Sequence, residues 1–511
     1  MKSYRYKYFK HLLLLGVVIS TFLSCSKKLD EVVPQDVISK SEALRDPNAA
    51  RTLYHGIYGR VRAYAGTFFQ LGEMRSDIWA DGLFTESVDG GLQNLYRHNI
   101  STLNVPFGDW AGFYNLIYNL NNVIKLYPQT PLPDAEKSTA LAELYGLRAY
   151  VYYNMVRTWG PVPLSLEPIE TISNASETYK RRTSADTILI QIKKDVDESL
   201  RLFGTTNTLS TGKRVYWSRI ASLVLKGDVH IWTATHQNGG AADLTIAKTS
   251  LEEVQRLQGV SLNLNSNYSD IFDPVKKTNN PEIIFALNFE LQQAQLGVFG
   301  SFTVNSIQAT TLSLSQAPTP TVSSVYPYVN GANRVGLNQA MINRLTSGPA
   351  DQRISKSFNI LYSTAPPHSV RGVLLTKWLG STSGTTQIFN NDLSIYRYAD
   401  VLLLLAEAKT KLGEDPSNEI NAIRRRAYGT TFPVYVNGSQ ANNMNAILDE
   451  YLREFIGEGR RWWALRRAGD SYVYANINPT YLSPTTQAKL LLPISMGMLN
   501  NDPMLTQTPG Y

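Results

Sequence analysis

Five successive segments between residues 110 and 257 carry apolar side chains at the spacing of one helix face. That succession constrains the fold more than any other feature of the chain. WAGFYNLIYNLNNVI (110–124) sets Trp110, Phe113, Tyr114, Ile117, Asn121 and Ile124 on one side. LAELYGLRAYVYYNMVRTWG (141–160) does the same with Leu141, Leu144, Tyr145, Arg148, Tyr152, Met155, Val156 and Trp159. DTILIQIKKDVDESLRLF repeats the pattern through Ile188, Ile192, Val196, Leu200 and Phe203. RIASLVLKGDVHIWTATH and DLTIAKTSLEEVQRL complete the series. All follow the i, i+3, i+4, i+7 rule of an amphipathic helix.

Helices of this length joined by short links imply hairpins stacked as in tetratricopeptide arrays. The sequence shows no clean 34-residue period, so the expectation concerns architecture alone. The fold class expected is mainly α, with tetratricopeptide-like helical hairpins and a loop-rich ligand-binding face. Residues 46–260 form the first helical region and 261–511 the second, with a loop-rich insertion over 288–395. Within that insertion, 291–333 contains no Asp, Glu, Lys or Arg. Its Ser, Thr, Gln and Pro content is too broken for a buried helix. Its length is too great for an idle connection. Helices return at ADVLLLLAEAKTKLG and NNMNAILDEYLREFIG.

The N-terminus reads differently. MKSYRYKYFKH carries Lys2, Arg5, Lys7 and Lys10 without an acid, and thirteen uncharged residues follow. A basic start, a short apolar stretch and small Ser24 make residues 1–24 a secretory signal peptide. The stretch is shorter than the ~20 residues a spanning helix needs. Cys25 is the only cysteine in 511 residues. It cannot close an internal disulfide, and it lacks the nearby Cys or His of a zinc site. Its place after Ser24 looks like a bacterial lipobox, in which the thiol receives lipid; Phe22 stands where Leu is commonest. Cys25 is therefore expected to be lipidated, the alternative being a plain signal peptide with a coincidental cysteine. Several acyl chains would hold the protein on a membrane. Residues 25–45 then form a lipidated tether.

Four of the seven formal positive charges belong to the signal, leaving about +3. No basic stripe of the kind that reads nucleic acid is visible. Catalytic signatures are equally lacking: STGKRV misses the spacing of a phosphate loop, and no G-x-S-x-G or H-E-x-x-H occurs. His230 and His236 are six apart, which does not suit two ligands on one helix face; both read as helix surface. NLNSNYSD echoes a calcium loop, but its twelfth position is Pro274. No metal, cofactor or catalytic residue is expected.

YRYADVLLLLAEAKTKLG (396–413) followed by NEINAIRRRAYG closely resembles the signature of the SusD/RagB family. The segments 110–124 and 143–164, YSDIFDPVKKTNNPEIIFALNF, EYLREFIGEGRRWWALRRAG and terminal DPMLTQTPGY resemble further family motifs, in order. Departures are Tyr451, Ala464 and Asp502, where the family usually has Arg, Asp and Asn. The resemblance implies a SusD-like fold on an outer-membrane lipoprotein, facing the exterior through its lipid anchor. It implies an oligosaccharide or other nutrient as ligand and a SusC-like TonB-dependent transporter as partner, with no enzyme activity. Alternatives are a peptide-binding lid of the same architecture and a glycan-cleaving enzyme. Arg148, Arg397, Asp400, Glu407, Glu454, Glu458 and Arg461 lie on or beside apolar helix faces, and read as an ion-pair lattice rather than a catalytic pair.

A sugar site needs flat aromatic faces and groups that hydrogen-bond hydroxyls. Two stretches supply both. The first is GEMRSDIWADGLFTESVDGGLQNLY, with Arg75, Asp77, Trp79, Asp81, Asn94 and Tyr96. The second is SVYPYVNG, with Tyr326, Tyr328 and Asn330, beside Asn333. Packing within loops is the competing reading for both. Trp378, Trp462 and Trp463 read as core.

Overall fold

A computed structural model describes residues 38–83, 89–169, 173–209 and 212–511. Cys25, the signal segment and the first part of the expected tether lie outside the described residues. The chain divides into two units, Met1–Leu53 with Gln129–Leu132, and Tyr54–Pro128 with Pro133–Tyr511. In the smaller unit, a four-residue helix, Lys40–Ala43, is capped by the Ser39 side chain.

The larger unit is built mainly of helices. Helix α1 is Pro47–Ala63, whose last ten residues belong to this unit, and α2 is Ala65–Glu73. Then follow α3 (Gly90–Tyr96), α4 (Ala111–Leu126), α5 (Asp134–Trp159), α6 (Ala185–Phe203), α7 (Arg219–His236) and α8 (Gly240–Gln255). The C-terminal part adds α9 (Tyr398–Leu412), α10 (Ser417–Tyr428), α11 (Gln440–Phe455) and α12 (Arg461–Ala468). Boundaries follow local chemistry. Ser184 and Ser218 accept from the backbone amides of Thr187 and Ala221, capping α6 and α7. Gly413, at φ 78°, closes α9 in the left-handed conformation.

Sequence neighbours pack as pairs: α4 on α5, α5 on α6, α7 on α8 and α9 on α10. Helix α8 also packs on α9, so residues on either side of position 260 share one packed unit. The apolar faces read from the sequence form that core, with Ile188, Ile192 and Val196 of α6 buried.

Strands are few and short. β1 (Trp79–Asp81) pairs antiparallel with β4 (Val335–Leu337), and β2 (Ile283–Leu287) with β9 (Leu393–Arg397). β3 (Leu312–Ser313), β5 (Phe358–Ser363) and β6 (Val370–Leu375) form one sheet, and β7 (Ser381–Ser383) pairs with β8 (Thr386–Ile388). The uncharged stretch 291–333 is more ordered than an irregular loop. It holds helices Ser306–Thr311 and Val322–Val325 and buries Val304, Ala309, Leu312, Val322 and Val329 in a core shared with Leu361, Leu374 and Leu379.

The charged lattice is present. Fully buried Arg397 bridges Glu282 at 2.5 Å, Glu454 at 2.6 Å and Glu458 at 2.9 Å. Arg353 joins Asp351 and Glu450, each at 2.7 Å, and Lys377 meets Glu458 at 2.8 Å. Arg467 meets Glu407 at 3.0 Å, and Arg148 grips Asp195 with two nitrogens. Such charges are tolerated in a core because each is paired and hydrogen-bonded. Burial alone would raise Glu454, but the guanidinium groups of Arg426, Arg397 and Arg353 outweigh it and hold its carboxyl far below the usual range. Tyr451, standing in place of Arg, keeps a link by accepting from Arg467 at 2.9 Å.

Candidate functional site

The β1–β4 ladder sets Asp81 opposite Val335 and Trp79 opposite Leu337. It thereby joins the first stretch singled out in the sequence to the residues that directly follow the second. Beside the ladder lies a cavity of about 220 Å³. Asp81, Asn333 and Arg371 supply its polar lining together with Gln339, and Leu83, Leu337, Ile342, Val370 and Val373 its aliphatic lining.

Asn333 is the most telling of these residues. It is 1% exposed, and its backbone N–H donates to the Thr303 carbonyl at 2.7 Å. Its side-chain amide nitrogen has no hydrogen-bond partner among the described residues. A buried donor left unmade costs about 1–3 kcal/mol, so the position is poised for an acceptor. Its φ of 43° is one that Asn tolerates better than most residues. Glycines let the walls close in. A Cβ at Gly82 would lie 2.2 Å from the Asn333 carbonyl oxygen, and one at Gly372 would lie 2.5 Å from the Leu83 side chain.

Asp81 faces the same cavity with its carboxylate fixed. Gln93 donates to it at 2.9 Å, and the Tyr96 hydroxyl and the Arg97 guanidinium donate as well. Partial burial would raise this carboxyl, but the Tyr96 and Gln93 hydrogen bonds and the Arg97 charge outweigh it. Asp81 is thus an anionic acceptor held in one orientation. Helix α3 delivers Gln93 and Tyr96, and it is itself capped by Asp89, which accepts from the amides of Gly91 and Leu92.

Other candidates occupy different places. Arg75 is buried, donates to the carbonyls of Lys489 and Leu490, and lies 4.4 Å over the Trp462 ring. Asp77 is a partner of Arg461 at 2.7 Å. Trp79 is 5% exposed; its indole N–H donates to Glu73 at 3.2 Å and its ring meets Phe302 edge-on at 4.8 Å. None of these three lines the cavity, and buried Trp79 presents no open face. Tyr96 is also buried and acts on the cavity through Asp81. Asn94 turns to Asn104, donating at 2.8 Å. Tyr326 and Tyr328 are half-buried against the Val304–Val329 core, beside Leu83. Their rings stand 6.4 Å apart at 80°, which is not a paired platform. Asn330 is exposed, and its backbone N–H donates to Gln387 at 3.0 Å.

Arg371, Gln339 and the aliphatic lining were missed in the sequence. Arg371 carried one signal, a charge inside the apolar strand VRGVLL. His230 is a further correction. It is buried rather than on the helix surface, with Nδ1 2.6 Å from Asp243. Among the described residues no group of three or more His, Cys, Asp or Glu side chains is arranged to hold a metal. No described helix is long and apolar enough to cross a membrane.

The profile of the SusD family matches residues 359–511. The solved structure of a SusD superfamily protein from Bacteroides vulgatus is 30% identical, covers 91% of this chain and 99% of its own, and superposes with a TM-score of 0.80. The chain belongs to the SusD family. A second profile, described as starch-binding associating with outer membrane, matches residues 36–213 of this SusD-family chain. The structure titled B. fragilis NanU is similar at 30% identity over 94% of this chain and 100% of its own, with a TM-score of 0.83. SusD-like protein P38 of Formosa agariphila is 24% identical over 98% of each chain. Starch-binding protein SusD of Bacteroides thetaiotaomicron is 28% identical over 27% of this chain and 26% of its own. The family is thus one of starch- and nutrient-binding proteins associated with the outer membrane.

Proposed function

We propose that this protein binds a saccharide nutrient in the Asp81–Asn333 cavity and delivers it to a SusC-like TonB-dependent transporter, while a lipid on Cys25 anchors it to the outer membrane facing the exterior. The observation that supports this reading best is the fixed Asp81 carboxylate lining a cavity of about 220 Å³ together with Asn333, whose buried side-chain amide has no partner among the described residues. A sugar ring answers that arrangement. One hydroxyl donates to Asp81, another accepts from Asn333, and the C–H face lies on Leu83, Leu337 and Ile342. None of the described lining residues is aromatic, so hydrogen bonding and aliphatic contact carry the grip.

The cavity volume is below the roughly 300–1,000 Å³ of drug-sized sites, which suits one ring of a longer chain. The test is calorimetric titration of the full chain, in detergent, against a panel of oligosaccharides and a peptide digest. Binding to a glycan class that Asp81→Asn weakens about tenfold is the expected result. Binding to peptides alone would keep the architecture and replace the substrate. Turnover of any glycan would instead support the enzyme reading.

A further inference from the structure

We propose that the protein carries a second saccharide site, an aromatic cavity formed by helix α4, the strap over residues 163–169 and the C-terminal tail. This cavity measures about 230 Å³ and shares no lining residue with the Asp81–Asn333 cavity. Trp110, Tyr114 and Tyr118 line it. They are spaced four residues apart at and beyond the start of α4, which places them along one helix face. Tyr118 is 43% exposed, whereas Trp110 is buried against Trp159. The Tyr114 hydroxyl already donates to the Pro163 carbonyl, so the ring is what remains for a ligand.

Ile169 and Leu505 add apolar lining, and Lys180, Asp502 and Glu167 add charge. Lys180 and Asp502 are set in place, whereas Glu167 is exposed, 3.9 Å from Lys125. The Lys180 ammonium is 3.0 Å from the Ser165 hydroxyl, and the Lys180 backbone N–H donates to Asp502 at 3.1 Å. The strap is pinned as well, since the Ser165 carbonyl accepts from Asn121 at 3.0 Å and from Tyr152 at 2.8 Å. A cavity assembled in advance binds without an ordering cost.

The combination is selective. Aromatic faces cover the apolar side of a pyranose, while an ammonium and carboxylates at the edge hydrogen-bond its hydroxyls. A purely apolar ligand would leave Lys180 and Asp502 unanswered, and a bare ion would ignore the Tyr114 and Tyr118 rings. A single pyranose unit satisfies both sets. The first cavity grips through hydrogen bonds and aliphatic contact, so the two would favour different faces or different rings of a glycan.

The experiment uses the full chain in detergent micelles on a printed array of mono- and oligosaccharides, followed by calorimetry with whichever glycan binds. Tyr118→Ala, Tyr118→Phe and Asn333→Asp run beside the parent. Tyr118→Ala is expected to remove one binding event per chain or to weaken affinity about tenfold. Tyr118→Phe, which keeps the ring, is expected to match the parent, and Asn333→Asp to leave the Tyr118-dependent component intact. Unchanged stoichiometry and affinity in Tyr118→Ala would overturn the second site while leaving the Asp81–Asn333 reading standing. Saccharide binding lost in Tyr118→Ala but untouched by Asn333→Asp would do the reverse. Silence of the parent across the array would overturn both.

Discussion

Asp81 stands opposite Val335 across the β1–β4 ladder, and this register brings its carboxylate to the same cavity as the Asn333 amide. The ladder is only three residues long on each strand, yet it joins parts of the chain that share no local pattern.

The Asn333 donor is therefore the sharpest point of attack. Asn333→Asp keeps the volume, and Asp also tolerates a φ of 43°. It replaces the donor with an anionic acceptor. Glycan affinity is expected to fall at least about tenfold, and the unpaired carboxylate buried at this position is expected to lower the melting temperature as well. Titration and differential scanning calorimetry on the same sample check both halves.

Trp79 behaves differently. Trp79→Ala empties a buried ring site and leaves the Glu73 carboxyl without its indole donor. It is expected to cost about 3–5 kcal/mol of stability. Denaturant unfolding measures this directly. Any loss of ligand should then track the fraction unfolded rather than a weakened site.

Arg397 neutralises three glutamates at once. Arg397→Met leaves them buried without that partner, and is expected to destabilise by about 3–5 kcal/mol. Guanidinium titration of the purified variant, or its failure to accumulate folded, reads the effect. A simple surface ion pair would give less than about 1 kcal/mol.

Two buried carboxyls predict an unusual pH response. Glu143 accepts hydrogen bonds from the hydroxyls of Tyr54 and Tyr58, and burial pushes it up to about 7. Glu73, held by the amides of Gly457 and Gly459 and by Trp79, is likewise raised by burial to about 7. An unfolded glutamate titrates near 4.5. The folded chain holds these protons more tightly, so unfolding releases them. Their stabilisation is complete below the unfolded value and is lost as pH rises from there through about 7. Each contributes up to about 3 kcal/mol across that window. Glu143→Gln is expected to flatten the decline, as read from unfolding free energy between about pH 4.5 and pH 7.

Helix α6 was legible because burial imposes a 3.6-residue period on it, as Ile188, Ile192 and Val196 show, whereas α5 and α9 are buried nearly all round. The charged lattice was legible for a related reason: Arg397 and Glu454 sit among apolar residues where only pairing makes a charge tolerable. The cavity was legible only in fragments. Asp81 and Asn333 were both noticed, but β1–β4 pairing is a long-range event without a local signature. Composition misled over Trp79, because the Gly- and Asp-rich sequence around it reads as surface while its ring packs on Phe302. Tyr326 and Tyr328 look like a platform in sequence, yet their region packs with Leu361 of β5 and Leu374 of β6 into a core and uses them to cover it.

The Arg397 lattice has a consequence for how such proteins diversify. Each of its members is buried against two or more others, so a lone replacement there strands a charge and only concerted changes survive. Arg371 and Gln339, at the cavity, are exposed and carry no comparable constraint. Drift is therefore channelled toward the mouth of the molecule and away from its frame. On the proposed reading of the cavity, one chassis can be refitted for a new nutrient by exchanging the short segments around β1, β4 and β6, with the ion-paired helices untouched.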